Sequence, residues 1–365
     1  MGKKKKLLIV IGTRPNFIKI TQFKKEAKKF PNLEIKVVHT GQHYDTKMAD
    51  VFFEQFNLVP DYFLNIAPST ANKQMAEIIS KLEDVLIDHK PDWVIVVGDV
   101  NSTFAAALTA NKLDIKIAHL ESGLRSFDKS MPEEHNRILT DAISDLFFVT
   151  EQSGLDNLLK EGKTNKNTFM VGNTMIDTMV AFSKQIEKST ILRKIGVQSK
   201  QFVLMTMHRP ATVDTKEGLQ KLIGLIDMVT LDFKVVFPIH PRTVSSMEYF
   251  NLHQQLKNNP NLIITDPLDY FSFQKLIKES KFIITDSGGI QEETTFLQIP
   301  CLTLRSNTER PVTITIGSNE LIAFDLKKIK SKINTIVNGT YKAGKIPKYW
   351  DGKSTERIIK ILTKN

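Results

Sequence analysis

Short runs of β-branched and aliphatic residues alternate along this chain with helix-length amphipathic segments, and no other feature restricts its possible folds as strongly. Residues 7–11, 35–39, 93–97, 115–119 and 146–150 form one series of such runs. A second series begins after residue 200, at 202–206, 234–237, 262–265, 282–285 and 301–304. Strands covered on both faces read as continuous apolar runs, and parallel neighbours need helical crossovers between them. The pattern therefore predicts an α/β protein of two Rossmann-like halves. The length of 365 residues agrees, because one hydrophobic core rarely spans so long a chain. The expected division is 1–172 for the first half, 173–200 for a linker or hinge, 201–350 for the second half, and 351–365 for a terminal helix packing back on the first.

Composition narrows the class further. The chain is 41% hydrophobic and 25% charged, with no stretch approaching the roughly 18 apolar residues of a membrane span, so a soluble globular protein with no membrane contact is expected. Residues 1–11 read as a basic tip and a strand, too short in apolar length for a secretory signal. The single cysteine, Cys301, lies inside an apolar run and excludes an internal disulfide, which suits a reducing cytoplasm. The net charge of +10 is mostly terminal: residues 326–365 hold eleven Lys or Arg against two acids, and Lys3 to Lys6 add four more. These lysines interleave with apolar residues as on the wet face of a helix and lack the aromatic interleaving of a single-strand binder, so no nucleic-acid partner is expected.

In open parallel sheets chemistry collects at the carboxyl ends of the strands, and nearly every run here is followed by a polar cluster. Gly12-Thr-Arg-Pro15 stands where a dinucleotide-binding Gly-x-Gly-x-x-Gly would be, and no P-loop motif occurs, so no nucleotide cofactor is indicated. Ser287-Gly288-Gly289 reads as a turn that follows a strand and precedes a helical segment from Ile290. Its N–H groups and the helix dipole suit an anionic phosphate, although a plain glycine turn is an equal reading. Arg14 and Lys19 either brace such an anion or are surface charges. Asp99, Glu121 and Glu133 come from three loops at one sheet edge. Clustered carboxylates push one another's pKa values apart, so one holds a proton while a neighbour acts as base. Glu134 reads better as an ordinary first-turn helix acid. His208 and His240 each follow a strand and are either site or structural residues. His39 and His43 are four apart, but Gly41 argues against a helical metal pair, so no metal site is expected.

Taken in order, Gly12-Thr-Arg-Pro15, Gly41-Gln-His43, Gly98-Asp99, His119-Leu-Glu-Ser-Gly-Leu-Arg125, Pro132-Glu-Glu-His-Asn-Arg137, Gly172-Asn-Thr174, His208-Arg209, Thr285-Asp-Ser-Gly-Gly-Ile-Gln-Glu-Glu293 and Thr308-Glu-Arg-Pro311 resemble the motif series of the non-hydrolysing UDP-N-acetylglucosamine 2-epimerases. The resemblance implies a GT-B fold, two Rossmann-like domains facing across a cleft, with UDP bound by the second. It implies catalytic roles for Asp99, Glu121, Glu133 and His208, the three acids in acid–base work and the histidine near the sugar and diphosphate. It also implies substrate contacts for Arg14, Lys19, His240, Ser287, Gly288, Gly289 and Arg310, a ribose contact for Glu292, and a uracil contact for Phe273. A cytoplasmic homodimer that uses no cofactor and feeds cell-surface polysaccharide synthesis is the corresponding cellular expectation.

The implied reaction explains these residue types. The C2 proton of a glycosyl diphosphate is not next to a carbonyl, so elimination of UDP to a glycal and its re-addition offers the practical route to inversion. One departure stands out. Pro210 follows His208-Arg209 where many bacterial relatives carry a second arginine that helps bind an allosteric substrate molecule; Gln42 and His43 keep part of that site. Relatives acting on 6-deoxy (UDP-N-acetylfucosamine-type) or diacetamido-uronic UDP-sugars share most of the motifs. A GT-B glycosyltransferase, a hydrolysing epimerase and a silent UDP-sugar sensor are the competing readings.

Overall fold

The computed structural model describes residues 4–41 and 53–365. The chain divides into two compact units, one of residues 1–181 with 348–365, the other of residues 182–347.

Among the described residues the first unit is built on seven parallel strands: β1 (Lys5–Ile11), β2 (Leu33–His39), β3 (Tyr62–Phe63), β4 (Trp93–Val97), β5 (Lys116–Leu120), β6 (Leu146–Val149) and β7 (Thr168–Met170). Their spatial order is β3-β2-β1-β4-β5-β6-β7. The second unit carries six: β8 (Phe202–Thr206), β9 (Lys234–Pro238), β10 (Leu262–Thr265), β11 (Phe282–Thr285), β12 (Cys301–Thr303) and β13 (Asn319–Leu321), in the order β10-β9-β8-β11-β12-β13. Every pairing in both sheets is parallel. This is the α/β architecture of two Rossmann-like parts that the strand rhythm predicts.

Alternation of side chains across each strand explains why the central runs are apolar throughout. In the second unit Val203 and Met205 enter one buried cluster with Val235, Phe237, Phe282 and Ile284. Their neighbours Phe202 and Leu204 point the other way, into a cluster with Val236, Ile283 and Cys301. Three strands escape the sequence reading: β3, β7 and β13, of two, three and three residues. All three lie at sheet edges, where so short a segment has no period of its own and is extended only because a neighbour offers hydrogen bonds.

The stretch expected as a linker is helical. Its first helix, Thr174–Ala181, belongs to the first unit, while Ser183–Lys188 and Ile191–Ile195 belong to the second. The return to the first unit begins at Lys348, before the boundary at 350 expected from sequence. Trp350 is buried there and donates its indole N–H to the Thr150 carbonyl at 3.0 Å. The terminal helix Ser354–Lys364 is capped by Asp177, whose carboxylate accepts the backbone N–H groups of Ser354 and Thr355 at 3.1 and 2.6 Å. None of the helices among the described residues is long and apolar enough to cross a membrane.

Candidate functional site

Strand order reverses between β1 and β4 in the first sheet and between β8 and β11 in the second. Loops leaving the two central strands there turn to opposite faces and open a crevice at the carboxyl edge. In the first unit this is where Gly12 to Arg14 and Gly98-Asp99 lie. Gly98 has φ +70°, a conformation costly for any residue with a Cβ. A Cβ placed on it would stand 3.3 Å from Asn16 Nδ2, 3.4 Å from Glu121 Oε2 and 3.6 Å from Lys19 Nζ. The loops after β1, β4 and β5 thus meet at this glycine. Lys19 is buried and ion-paired with Glu121, which removes the surface-charge reading. Glu121 itself has φ +69°, rare for a glutamate and characteristic of strained positions held at functional sites.

Asp99 is tied to the helix Pro132–Ile143. Arg137 Nη2 reaches Asp99 Oδ2 at 2.5 Å, and Asn136 Nδ2 donates to the Asp99 carbonyl at 3.0 Å. Glu133 is half-buried on the first turn of that helix. Residues three and four positions apart share a helix face, so Glu133 lies on the side from which Asn136 and Arg137 reach Asp99. Glu134, expected as an ordinary helix-start acid, is buried and organises its surroundings. It accepts bonds from the Ser126 N–H at 2.9 Å, the Ser126 hydroxyl at 2.9 Å, the Phe127 N–H at 2.8 Å and Arg137 at 2.7 Å. Burial alone raises its pKa, but these donors outweigh burial and leave it below the ordinary glutamate value.

A second buried network braces the same strand ends. The His119 ring bonds Asp141 Oδ1 through Nδ1 at 2.6 Å and the Gly98 carbonyl through Nε2 at 2.8 Å. Asp141 Oδ2 accepts the Gly123 N–H at 3.0 Å and pairs with Arg125 at 2.7 Å. Asp141 is fully buried, which raises its pKa, yet His119 and Arg125 bring it below the usual aspartate value. Its position in the last turn of the helix Pro132–Ile143 offers no sequence signal.

In the second unit β8 and β11 deliver a matching pair of loops. Asp286, at the end of β11, accepts the backbone N–H groups of His208 and Arg209 at 2.9 and 2.8 Å. Its other oxygen stands 3.0 Å from His208 Nδ1. Burial raises the pKa of Asp286, and the His208 contacts and these N–H donors bring it below normal. Sequence assigned it no role; a carboxylate that fixes one ring nitrogen of His208 leaves the other for a ligand. His240 lies 5.4 Å from His208, ring centre to ring centre, and caps the helix Pro241–Tyr249 by accepting the Arg242 N–H at Nδ1. Burial first, then His208 and Arg242, lower its pKa, with Asp286 opposing.

Ser287 sits at the N-cap of the helix Gly288–Leu297, so Gly288 and Gly289 are its first two residues rather than a turn before it. Glu292 is buried and pairs with Arg310 Nε at 2.8 Å, and Arg310 also pairs with Glu309. Phe273 packs, half-buried, against the second unit's core. Arg14 is the half-buried first residue of the helix Arg14–Ile20. Pro210 opens the short helix Pro210–Val213. Gln42 and His43 lie outside the described residues. No cluster of metal-binding side chains occurs among the described residues.

Polar loops at the switch points of two parallel sheets, acids in one and a glycine-led helix start ringed by arginines in the other, place this chain among the two-domain α/β enzymes of Rossmann type. The family model for UDP-N-acetylglucosamine 2-epimerase matches residues 25–363, and the chain belongs to this family, an isomerase family. A UDP-N-acetylglucosamine 2-epimerase of Methanocaldococcus jannaschii is 41% identical over 98% of this chain and 99% of that one. The crystal structure of the M. jannaschii enzyme in complex with UDP-GlcNAc and UDP matches with a TM-score of 0.91 at 40% identity, covering 99% of this chain and 100% of that one. A UDP-2,3-diacetamido-2,3-dideoxy-D-glucuronate 2-epimerase of Pseudomonas aeruginosa is 36% identical over 98% of this chain and 99% of its own length.

Proposed function

We propose that this chain interconverts UDP-N-acetylglucosamine and UDP-N-acetylmannosamine by inverting C2 of the sugar. The observation that carries the reading is the meeting of the Glu121 and Asp99 segments at Gly98, with Glu133 on the helix face that reaches Asp99. One carboxylate takes the C2 proton while UDP leaves C1 with the bonding electrons, and the product is a glycal with a C1–C2 double bond. Re-addition of UDP at C1, with a proton delivered to C2 from the opposite face, completes the inversion. Asp99, Glu121 and Glu133 are the acid–base groups in this scheme. Lys19 holds the direction of the Glu121 carboxylate. His208, steadied by Asp286, is assigned to the diphosphate with Arg14, His240, Ser287, Gly288, Gly289 and Arg310; Glu292 is assigned to the ribose and Phe273 to the uracil. Preorganised donors around a departing dianion stabilise charge where it develops.

The P. aeruginosa relative supports a second reading, the same inversion on a UDP-diacetamido-uronic acid. The family resemblance further supports a cytoplasmic homodimer supplying polysaccharide precursors. Burial pushes the Cys301 thiol up to about 11 and leaves it unreactive, a structural residue with no part in the proposed reaction. Pro210 in place of a second arginine argues against substrate activation.

Incubation in heavy water with each UDP-sugar, without NAD or acceptor, separates the readings by NMR. Deuterium at C2 of UDP-N-acetylglucosamine with a manno product and UDP retained is the expected result. Exchange confined to the diacetamido-uronic substrate would select the second reading, and no exchange with any UDP-amino sugar would sink both.

A further inference from the structure

Arg305, two residues beyond β12, is a cation that the sequence reading left without a role. It is only 8% exposed. Its Nη2 bonds Asn307 Oδ1 at 3.3 Å and Glu309 Oε2 at 3.2 Å. Its Nη1 is buried, and no group among the described residues accepts a bond from it. A buried charged donor without an acceptor is costly enough to call for an explanation.

Nη1 has a direction. A Cβ placed on Gly288 would lie 3.8 Å from it, 3.2 Å from Arg310 Nη1 and 3.1 Å from Glu309 Oε1. Gly288 is the first residue of a ten-residue helix, whose opening N–H groups have no acceptors within the helix and carry the positive end of its dipole. The missing side chain of Gly288 thus lets two guanidinium groups and the Glu309 carboxylate close on the helix start, and of the three Arg305 Nη1 stands farthest from that point. Arg310 already has two carboxylate partners there, Glu309 and Glu292. Burial foremost, and the like charges of Arg209 and Arg310, lower the Arg305 pKa against the pull of Glu309. An incoming anion would reverse that balance.

We infer that Arg305 Nη1 is a donor to the diphosphate of the bound nucleotide, adding a buried contact to the family's helix-start site. The inference rests on the UDP-sugar reading above, but its test measures binding and is separate from turnover. A charge-assisted bond of this kind is among the stronger single contacts in a protein. The full chain with R305Q is therefore expected to bind UDP at least tenfold more weakly by calorimetry, while uridine, titrated by NMR, binds within twofold of the unsubstituted chain. Unchanged UDP affinity, or an equal loss for uridine and UDP, would overturn the assignment. Should R305Q fail to fold, the unsubstituted chain decides: the Arg305 side-chain nitrogen signals, assigned with R305K, shift on adding UDP and stay in place with uridine. A signal indifferent to UDP overturns the inference. Loss of C2 exchange alongside intact UDP-dependent shifts would sink the epimerase reading and leave this one standing.

Discussion

Asp99 is held on two sides, its carboxylate by Arg137 and its carbonyl by Asn136, so an amide in its place keeps the geometry and loses the base. Asp99→Asn is expected to slow C2 exchange by roughly 100-fold or more, the usual worth of an acid–base group, with UDP affinity within twofold by calorimetry. A parallel loss of UDP binding would make Asp99 structural. His39 carries a pH prediction. Burial lowers its pKa to about 4, and its Nδ1 accepts the Gly41 N–H at 3.0 Å, so the folded protein holds it neutral. Unfolded, it takes a proton near its ordinary value of 6.5. Its contribution to stability is therefore complete above pH 6.5 and is lost as pH falls from 6.5 towards 4, up to roughly 3 kcal/mol at 1.36 kcal/mol per pH unit. His39→Asn, which keeps an acceptor, is expected to flatten the fall in urea midpoint across that window; equal slopes would refute it. Asp99 and Glu121 were legible as residues following apolar strands. Glu134, Asp141 and Arg305 were not, because nothing local distinguishes a buried paired charge from an exposed one.

At the scale of elements, the helix Pro132–Ile143 does most to build the acidic site. Pro132 and the acids after it announced its start, as first-turn chemistry does. Its buried face escaped notice because it is polar: Glu134, Asn136, Arg137, Thr140 and Asp141 take positions where an apolar stripe is the usual signal. The segment 348–365, expected from sequence to pack back on the first half from residue 351, belongs to the first unit and meets it closely at Gly172. Gly172 has φ +91°, and a Cβ there would run into the Tyr349 carbonyl and the Ser354 hydroxyl. Gly172→Ala is expected to destabilise the first unit by about 2 kcal/mol or more through backbone strain and the clash, seen as a lower melting temperature. An unchanged melting temperature would show that this junction yields freely.

At the scale of the molecule, the two units differ in how they are closed. The second is one unbroken stretch with its own sheet and two buried clusters. The first needs the terminal helix, whose Ile358, Ile359 and Leu362 are fully buried. Residues 182–347 expressed alone are expected to unfold cooperatively and to bind UDP without catalysing C2 exchange, as checked by denaturation and calorimetry. A non-cooperative transition would show that the second unit depends on the first. The sequence by itself determined the two sheets and the polar clusters at their strand ends, because burial on both faces and turn chemistry are written in neighbouring residues. Only the tertiary structure decided which charges meet. Lys19 and Glu121 are 102 positions apart and Arg137 and Asp99 are 38 apart, and such pairs exist only once parallel strands have brought their separate loops to one edge.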